Sequence, residues 1–225
     1  GFMAEMGLER LAGRIAQRLG GREPAVDTTA DTAPAAAVER DYQCIQSLGE
    51  LEQWVDQART AGVVAVDTET TSLDAMVADL VGVSLSVRPG QACYIPLGHQ
   101  GPVPAGELDL GGDAATAPEQ IPLAQALDLL RPLLADPSVL KVGQNLKYDM
   151  LVLRRYGVEI SPFDDTMLLS YVTEGGLHGH GMDELSKLHL DVEPISFKDV
   201  AGTGKSKITF DLVPLDKATE YAAED

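Results

Sequence analysis

Residues 63–70 read Val63-Val-Ala-Val-Asp67-Thr-Glu69-Thr70. Four consecutive apolar residues running into two carboxylates form the pattern of a buried strand. Side chains two apart on a strand point the same way, so Asp67 and Glu69 project together from its end. Two neighbouring carboxylates in such a place repel each other unless a cation sits between them. A lone Asp-x-Glu is more often a polar strand end with both groups in water. The pair acquires chemical meaning only with partners from elsewhere in the chain.

Working outward, Leu80–Val87 reads as a second strand, Arg88-Pro-Gly-Gln91 as a turn and Ala92–Leu97 as a third strand. Residues 98–122 are dense in Gly, Pro and Ala and predict an irregular surface excursion. Leu123–Leu134 predicts a helix, Val139–Gly143 a short fourth strand, and Leu146–Tyr156 another helix. More helices are expected over 165–173, 182–189 and 215–224, with a polar loop around 198–209. Upstream, Ser47-Leu-Gly-Glu50 has the capping-box pattern and opens a helix to about Thr60, with Leu48, Leu51, Val55 and Ala58 facing inward. Three strands joined by tight turns, then helix–strand–helix, describe an α/β fold: a mixed sheet with flanking helices.

Ahead of that helix the chain changes character. Leu8, Leu11, Ile15 and Leu19 recur at helical spacing, with Arg10, Arg14 and Arg18 on another face, which predicts an amphipathic helix over 3–19. Residues 20–41 are rich in Ala, Thr, Pro and Asp without periodicity and predict a disordered linker, so the folded domain should begin near Tyr42. The first residue is Gly rather than Met, as in a piece cut from a longer protein.

A chain of 225 residues, 44% hydrophobic, has room for one substantial core. It contains no apolar run long enough to span a bilayer. Its acidic opening lacks the basic start of a signal peptide. Cys44 and Cys93 lie far apart without a CxxC pair, which fits a reduced cytosolic compartment and two ordinary small hydrophobes. The net charge of −18 counts against a general nucleic-acid-binding surface. Lys and Arg concentrate after Leu140, however, at Lys141, Lys147, Arg154, Arg155, Lys198, Lys205 and Lys207. A site that holds cations must itself be acidic, and the cations then present positive charge to phosphate.

Two further segments carry acidic residues suited to such a site. Asp149, in Gln144-Asn-Leu-Lys-Tyr-Asp149, follows the fourth strand and enters a helix. An Asp in a first helical turn is common for electrostatic reasons alone, and Asn145 is equally readable as an N-cap. In Tyr221-Ala-Ala-Glu-Asp225 the i, i+4 spacing puts Tyr221 and Asp225 on one helix face. Each motif alone is ambiguous. Together, four carboxylates from separate segments and a tyrosine can build a dinuclear site. Hard cations such as Mg²⁺ take oxygen ligands and keep some water, and two of them can clamp the attacking water and the leaving oxygen of a phosphodiester. The tyrosine hydroxyl can orient that water.

At this point the sequence resembles a known family. Val-Asp67-Thr-Glu69-Thr-Thr-Ser-Leu73-Asp, Val-Gly-Gln-Asn-Leu-Lys-Tyr-Asp149 and Tyr221-Ala-Ala-Glu-Asp225 look like the three exonuclease motifs of the bacterial DNA polymerase I family, in the tyrosine-containing branch of the DEDD superfamily. The likeness runs through Asp165-Thr-Met-Leu, Met182-Asp-Glu-Leu and Ala201-Gly-Thr-Gly-Lys205 and covers about residues 42–225. Phe2–Gln17 also resembles the tail of that family's 5′-nuclease region.

The resemblance implies a ribonuclease H-like fold and 3′→5′ proofreading hydrolysis of DNA. It further implies two divalent metal ions (Mg²⁺, with Mn²⁺ or Zn²⁺ as substitutes), held by Asp67, Glu69, Asp149 and Asp225. Asp67 would bridge both ions and Tyr221 would position the water. Leu73 and Phe197 would pack against the terminal bases, and Gln144, Asn145 and Tyr148 would contact the single strand. The implied partners are a frayed or single-stranded 3′ end and a polymerase domain of the same parent chain, in a monomer of the bacterial cytoplasm, at the nucleoid. Two departures stand out. Where the family often has a basic residue before the Met-Asp helix, this chain reads Gly-Leu-His-Gly-His180-Gly, so a phosphate contact there is lost or passes to His180. The chain also stops at Asp225, where the family continues the helix, which places the last ligand on an end prone to fraying.

Other features fit poorly elsewhere. Gly202-Thr-Gly-Lys-Ser206 looks like part of a P-loop, but Asp199 occupies the position of the required first Gly and no strand leads in, so a mobile basic loop is the better reading. His178 and His180 have no Cys and no third His close in sequence, which favours a surface loop over a soft-metal site. Trp54 and Tyr42 read as core aromatics. An RNase D-type ribonuclease and a catalytically weak scaffold are the competing functions. The second usually lacks several of the carboxylates that are all present here.

Overall fold

The computed structural model of the chain describes residues 39–101 and 117–225. The helix expected over 3–19, most of the linker over 20–41 and much of the excursion over 98–122 lie outside the described residues.

Strand β2 (Val63–Thr70) anchors the sheet. Val64 and Val66 are fully buried on one side, while Asp67 and Glu69 share the other. It pairs antiparallel with β3 (Leu80–Arg88), placing Asp67 opposite Ser84 and Glu69 opposite Gly82, with a bulge between Glu69 and Thr70. β3 pairs antiparallel with β4 (Gln91–Pro96) across the tight turn expected at Pro89-Gly90. On its other edge β2 runs parallel to β5 (Leu140–Gly143).

Two strands escaped the sequence reading. β1 (Asp41–Cys44) pairs parallel with β4, and β6 (Phe163–Asp165) pairs parallel with β5. The sheet order is therefore β1-β4-β3-β2-β5-β6. Both additions are short, polar edge strands that lack apolar alternation, which is how natural sheets finish their edges.

Helix α1 (Leu48–Ala61) starts at a realised capping box: the Ser47 hydroxyl accepts from Glu50 N, and the Glu50 carboxylate accepts from Ser47 N at 3.1 Å. It stops at Gly62, whose φ of 71° is left-handed. Leu51, Trp54, Val55 and Ala58 are buried as a helical stripe. Leu48, expected to face inward, is instead exposed in the first turn, and the indole of Trp54 fills the core. α1, α2 (Leu123–Leu134) and α3 (Lys147–Arg155) cover one face of the sheet, where Val64, Val66, Val83, Leu85, Leu130, Leu133 and Val152 form one continuous core.

The opposite face carries a second, aromatic cluster of Tyr94, Phe210, Val213, Ala218 and Ala222, joined by Phe197 and Tyr221. It is built by α6 (Phe197–Ala201), 3₁₀ turns at Gly204–Ser206 and Phe210–Leu212, and α7 (Leu215–Glu224). The polar loop expected around 198–209 therefore contains a short helix and a turn, and the P-loop look-alike runs from Gly202, the C-cap of α6, through the 3₁₀ turn that follows. Tyr94 lies so flat across β3 that a Cβ on Gly82 would sit 2.2 Å from its hydroxyl oxygen. After β6 come α4 (Thr166–Thr173) and α5 (Met182–Leu190), which line a cavity together with Asp67, Ser84, Ala222 and Asp225. No side chain of α5 is buried.

The irregular segment is pinned at its described ends. Gln120 Nε2 donates to the His99 carbonyl at 2.9 Å, His99 N donates back to Gln120 Oε1 at 3.0 Å, and His99 and Ile121 are each 2% exposed.

Candidate active site

Asp67 and Glu69 face the aromatic side of the sheet at the end of β2. Between them Thr68 points the other way, toward α3. Its backbone N–H (3.1 Å) and its hydroxyl both donate to Oδ1 of Asp149. Asp149 is 2% exposed and stands in the first turn of α3, where the helix N-terminus favours a negative charge. Oδ2 remains as its other acceptor.

The turn that delivers Asp149 is held by a residue whose role the sequence did not disclose. Asp165, buried at the start of α4, accepts from Met167 N (2.9 Å) and Leu168 N (3.3 Å) as a helix cap. It also accepts from Asn145 N (3.1 Å) and Leu146 N (3.0 Å) across the gap between β5 and α3. One carboxylate thus satisfies amides at the starts of two helices. Asn145 is not the cap it resembles: its φ is 60°, the helix begins after Leu146, and its side chain meets Lys147 Nζ. The left-handed turn is one that Asn tolerates.

α7 crosses the sheet over β4 and brings Tyr221 and Asp225 to the same place. The Tyr221 hydroxyl hydrogen-bonds the Asp225 carboxylate. Its ring packs edge-on against Phe197 (6.1 Å) and tilted against Phe210 (5.7 Å). The last turn does not hang free. Glu224 pairs with Arg40 and accepts from Ile195 N at 3.1 Å, so the turn bearing Asp225 is tied to two other segments.

The electrostatics are those of crowded carboxylates. Burial, then the negative charges of Asp149 and Asp225, push Asp67 well above the usual carboxylate range. Burial, Asp67, Asp225 and Asp149 do the same to Glu69. Burial raises Asp149 to about 6 and Asp225 to about 6. The Tyr221 hydroxyl is also pushed up, by burial and by Asp225, so it keeps its proton at neutral pH. Four convergent carboxylates whose ionisation is opposed mainly by burial and by one another are stabilised by cations. The donor set is all oxygen, which fits hard divalent ions such as Mg²⁺ or Mn²⁺.

The residues expected to touch nucleic acid take varied positions. Leu73 is 96% exposed on the loop after β2. Phe197 lines a cavity of about 520 Å³ together with Lys198, Lys207, Tyr221 and Asp225. Tyr148 is engaged by the protein: its hydroxyl bonds Thr70 Oγ1 at 2.6 Å and the Ser72 carbonyl, which fixes the base of the Leu73 loop. Gln144 Nε2 donates to the His180 carbonyl at 2.8 Å. Trp54 is buried and Tyr42 half-buried. His178 does meet a third histidine in space, His189 of α5.

Residues 42–225 match the family model described as "3'-5' exonuclease". DNA polymerase I of Rhizobium leguminosarum is 53% identical over 193 residues, covering 82% of this chain and 18% of that protein. DNA polymerase I of Pseudomonas aeruginosa is 39% identical over 190 residues, covering 83% and 19%. The chain therefore spans about a fifth of the length of these relatives. Among solved structures, Escherichia coli RNase D, an exoribonuclease involved in structured RNA processing, superposes with a TM-score of 0.55 at 18% identity, covering 82% of this chain and 41% of that one. That likeness shows a shared ribonuclease H-like fold. The family match, carried over nearly all the described residues and joined to the carboxylate site, places the chain among the 3′-5′ exonuclease domains of bacterial DNA polymerase I.

Proposed function

We propose that this domain removes nucleotides from the 3′ end of DNA, as the proofreading part of a DNA polymerase, with two divalent metal ions held by Asp67, Glu69, Asp149 and Asp225. The observation that supports it best is the convergence of these four carboxylates with Tyr221. When bound, the ions supply Lewis-acid chemistry: they activate water and stabilise the charge on the departing 3′-oxygen. Asp67, central to the mutual repulsion, would be one of the residues that hold the ions. Thr68 holds Asp149 in one rotamer. Tyr221 stays protonated, so its role is to orient the nucleophile rather than to accept its proton. Leu73 and Phe197 offer apolar surface to a terminal base drawn out of its stack, with Lys198 and Lys207 near the backbone phosphates.

DNA rather than RNA is the proposed substrate because the matched relatives are DNA polymerases. The remainder of such a parent chain would supply the polymerase domain. Among the described residues no helix is long and apolar enough to cross a membrane, and we place the protein in the bacterial cytoplasm, working as a monomer at the nucleoid.

A 5′-labelled DNA strand and its RNA counterpart, incubated side by side with the protein in Mg²⁺, test this. Stepwise shortening of DNA from the 3′ end, release of nucleoside monophosphates, and loss of both in EDTA are expected. Preferential degradation of RNA would move the assignment to an RNase D-type enzyme. Full activity in Asp149→Asn would overturn the proposed mechanism.

A further inference from the structure

Glu174, His178 and His189 converge from three places: the C-cap of α4, the loop after it, and the last turn of α5, with Glu174 and His189 lining the same cavity as Asp67 and Asp225. Their three donor atoms all lie within 4.8 Å of one another. A single oxygen, Oε2 of Glu174, stands 3.1 Å from Nε2 of His178 and 3.3 Å from Nε2 of His189. Ligands about 2.0–2.2 Å from a tetrahedral zinc ion are about 3.3–3.6 Å apart. The two carboxylate–imidazole spacings are therefore close to edges of a coordination tetrahedron, and the two histidine nitrogens lie within 4.8 Å of each other.

The proton inventory points the same way. Nδ1 of His178 lies 2.6 Å from the Gly179 carbonyl, which only accepts, so Nδ1 carries a proton. In the neutral ring Nε2 then presents a lone pair, aimed at an acceptor-only carboxylate oxygen. Those lone pairs repel unless the ring takes a second proton or a cation sits between them. A histidine whose far nitrogen donates to a backbone carbonyl is the usual posture of a metal ligand, with its tautomer and ring orientation fixed. Gly179 itself is held in place. Gly179 N donates to Glu184 Oε1 at 2.9 Å, and a Cβ on Gly179 would lie 2.2 Å from Glu184 Oε2. His180 packs on His178 at 5.2 Å and reaches Ser170 Oγ at 2.9 Å.

From this geometry we infer that Glu174, His178 and His189 form a site for one borderline divalent ion of the Zn²⁺ class, separate from the exonuclease carboxylates, that ties the end of α5 to the end of α4. Nitrogen donors distinguish it from the all-oxygen site, since Mg²⁺ strongly prefers oxygen. His189 and Glu174 are 48% and 31% exposed at their side chains, which leaves room for water as a fourth ligand. The tie matters to α5 because that helix buries no side chain of its own.

The test uses chelator-stripped protein in excess Mg²⁺, titrated with Co²⁺ and then Zn²⁺. One equivalent of Co²⁺ with a tetrahedral-type visible spectrum, displaced by Zn²⁺, is expected. His178→Gln and His189→Gln should each weaken that binding by more than about tenfold, while Asp149→Asn leaves it unchanged. Far-UV dichroism and the Mg²⁺-only melting temperature report whether each variant is folded, and Glu174→Gln serves where a histidine variant is not. Unchanged Co²⁺ affinity in folded histidine variants overturns the proposal. So does a binding equivalent that vanishes in Asp149→Asn, because the ion would then belong to the carboxylate site.

Discussion

Thr68 gives both of its hydrogen-bond donors, the backbone N–H and the side-chain hydroxyl, to one oxygen of Asp149. The residue between the two β2 carboxylates thereby fixes the third carboxylate. Strand and helix are registered to each other by the site itself.

Replacing Asp149 with Asn keeps an acceptor for Thr68 and removes a buried charge. A carboxyl near 6 in the folded state and near 3.8 otherwise opposes folding at neutral pH by up to about 3 kcal/mol. Asp149→Asn is therefore expected to lose exonuclease activity by orders of magnitude while gaining stability in metal-free buffer. Paired nuclease assays and urea melts in EDTA would show whether the two effects run in opposite directions.

The same shifts set a pH dependence. Between about 4 and about 6 the folded protein keeps protons on Asp149 and Asp225 that the unfolded chain has lost. Metal-free stability therefore falls as pH rises through that window, and the raised carboxyls of Asp67 and Glu69 add to the fall. Burial depresses His99, which contributes with the opposite sign as pH falls through about 6.5. Urea melts from pH 4.5 to 7.5, with Asp149→Asn as the reference, isolate the Asp149 contribution. At pH 7.5, millimolar Mn²⁺ should restore the stability lost, and a flat response to Mn²⁺ would argue against the carboxylate site.

Tyr221→Phe removes a hydroxyl that touches Asp225 and keeps the ring against Phe197 and Phe210. The expected result is a turnover rate reduced on the order of 100-fold through lost positioning, with Mn²⁺ affinity and melting temperature little changed. Because this hydroxyl is held above its ordinary value, its ionisation should contribute no limb to the rate profile between pH 6 and pH 9.

Gly82→Ala tests the packing beneath Glu69. Its methyl would collide with the Tyr94 ring, whose nearest atoms lie 2.2–2.4 Å from the new carbon. Tyr94 is wholly buried and its hydroxyl is 2.8 Å from His99 Nε2, so it has nowhere to retreat. A loss of about 2–3 kcal/mol in denaturant melts is expected.

Much of this was legible in the chain, and for specific reasons. VVAVDTET announced β2 because strand periodicity and burial agree there, and Ser47–Glu50 announced α1 because a capping box is local chemistry. β1 and β6 were not legible. They run four and three residues and are mostly polar, and their pairing is decided by where β4 and β5 already lie. The five residues of α6 are likewise too few to show a helical period. Asn145 does not act as the cap its position allows, because its φ of 60° leaves its side chain on Lys147 Nζ while Tyr148 N donates to its backbone carbonyl. The third histidine beside His178 sits across α5, where sequence proximity gives no hint of it.

Asp165 makes an acidic-residue scan treacherous. A substitution there would loosen the turn that carries Asp149 and the first turn of α4 together, since one side chain serves both. In an activity screen alone it would register as a fifth ligand. Only a melting curve set beside the nuclease assay would reveal that the scan had found the bracket on which a ligand is mounted, and for that reason the number of acidic positions a screen reports is an upper bound on the number that meet metal.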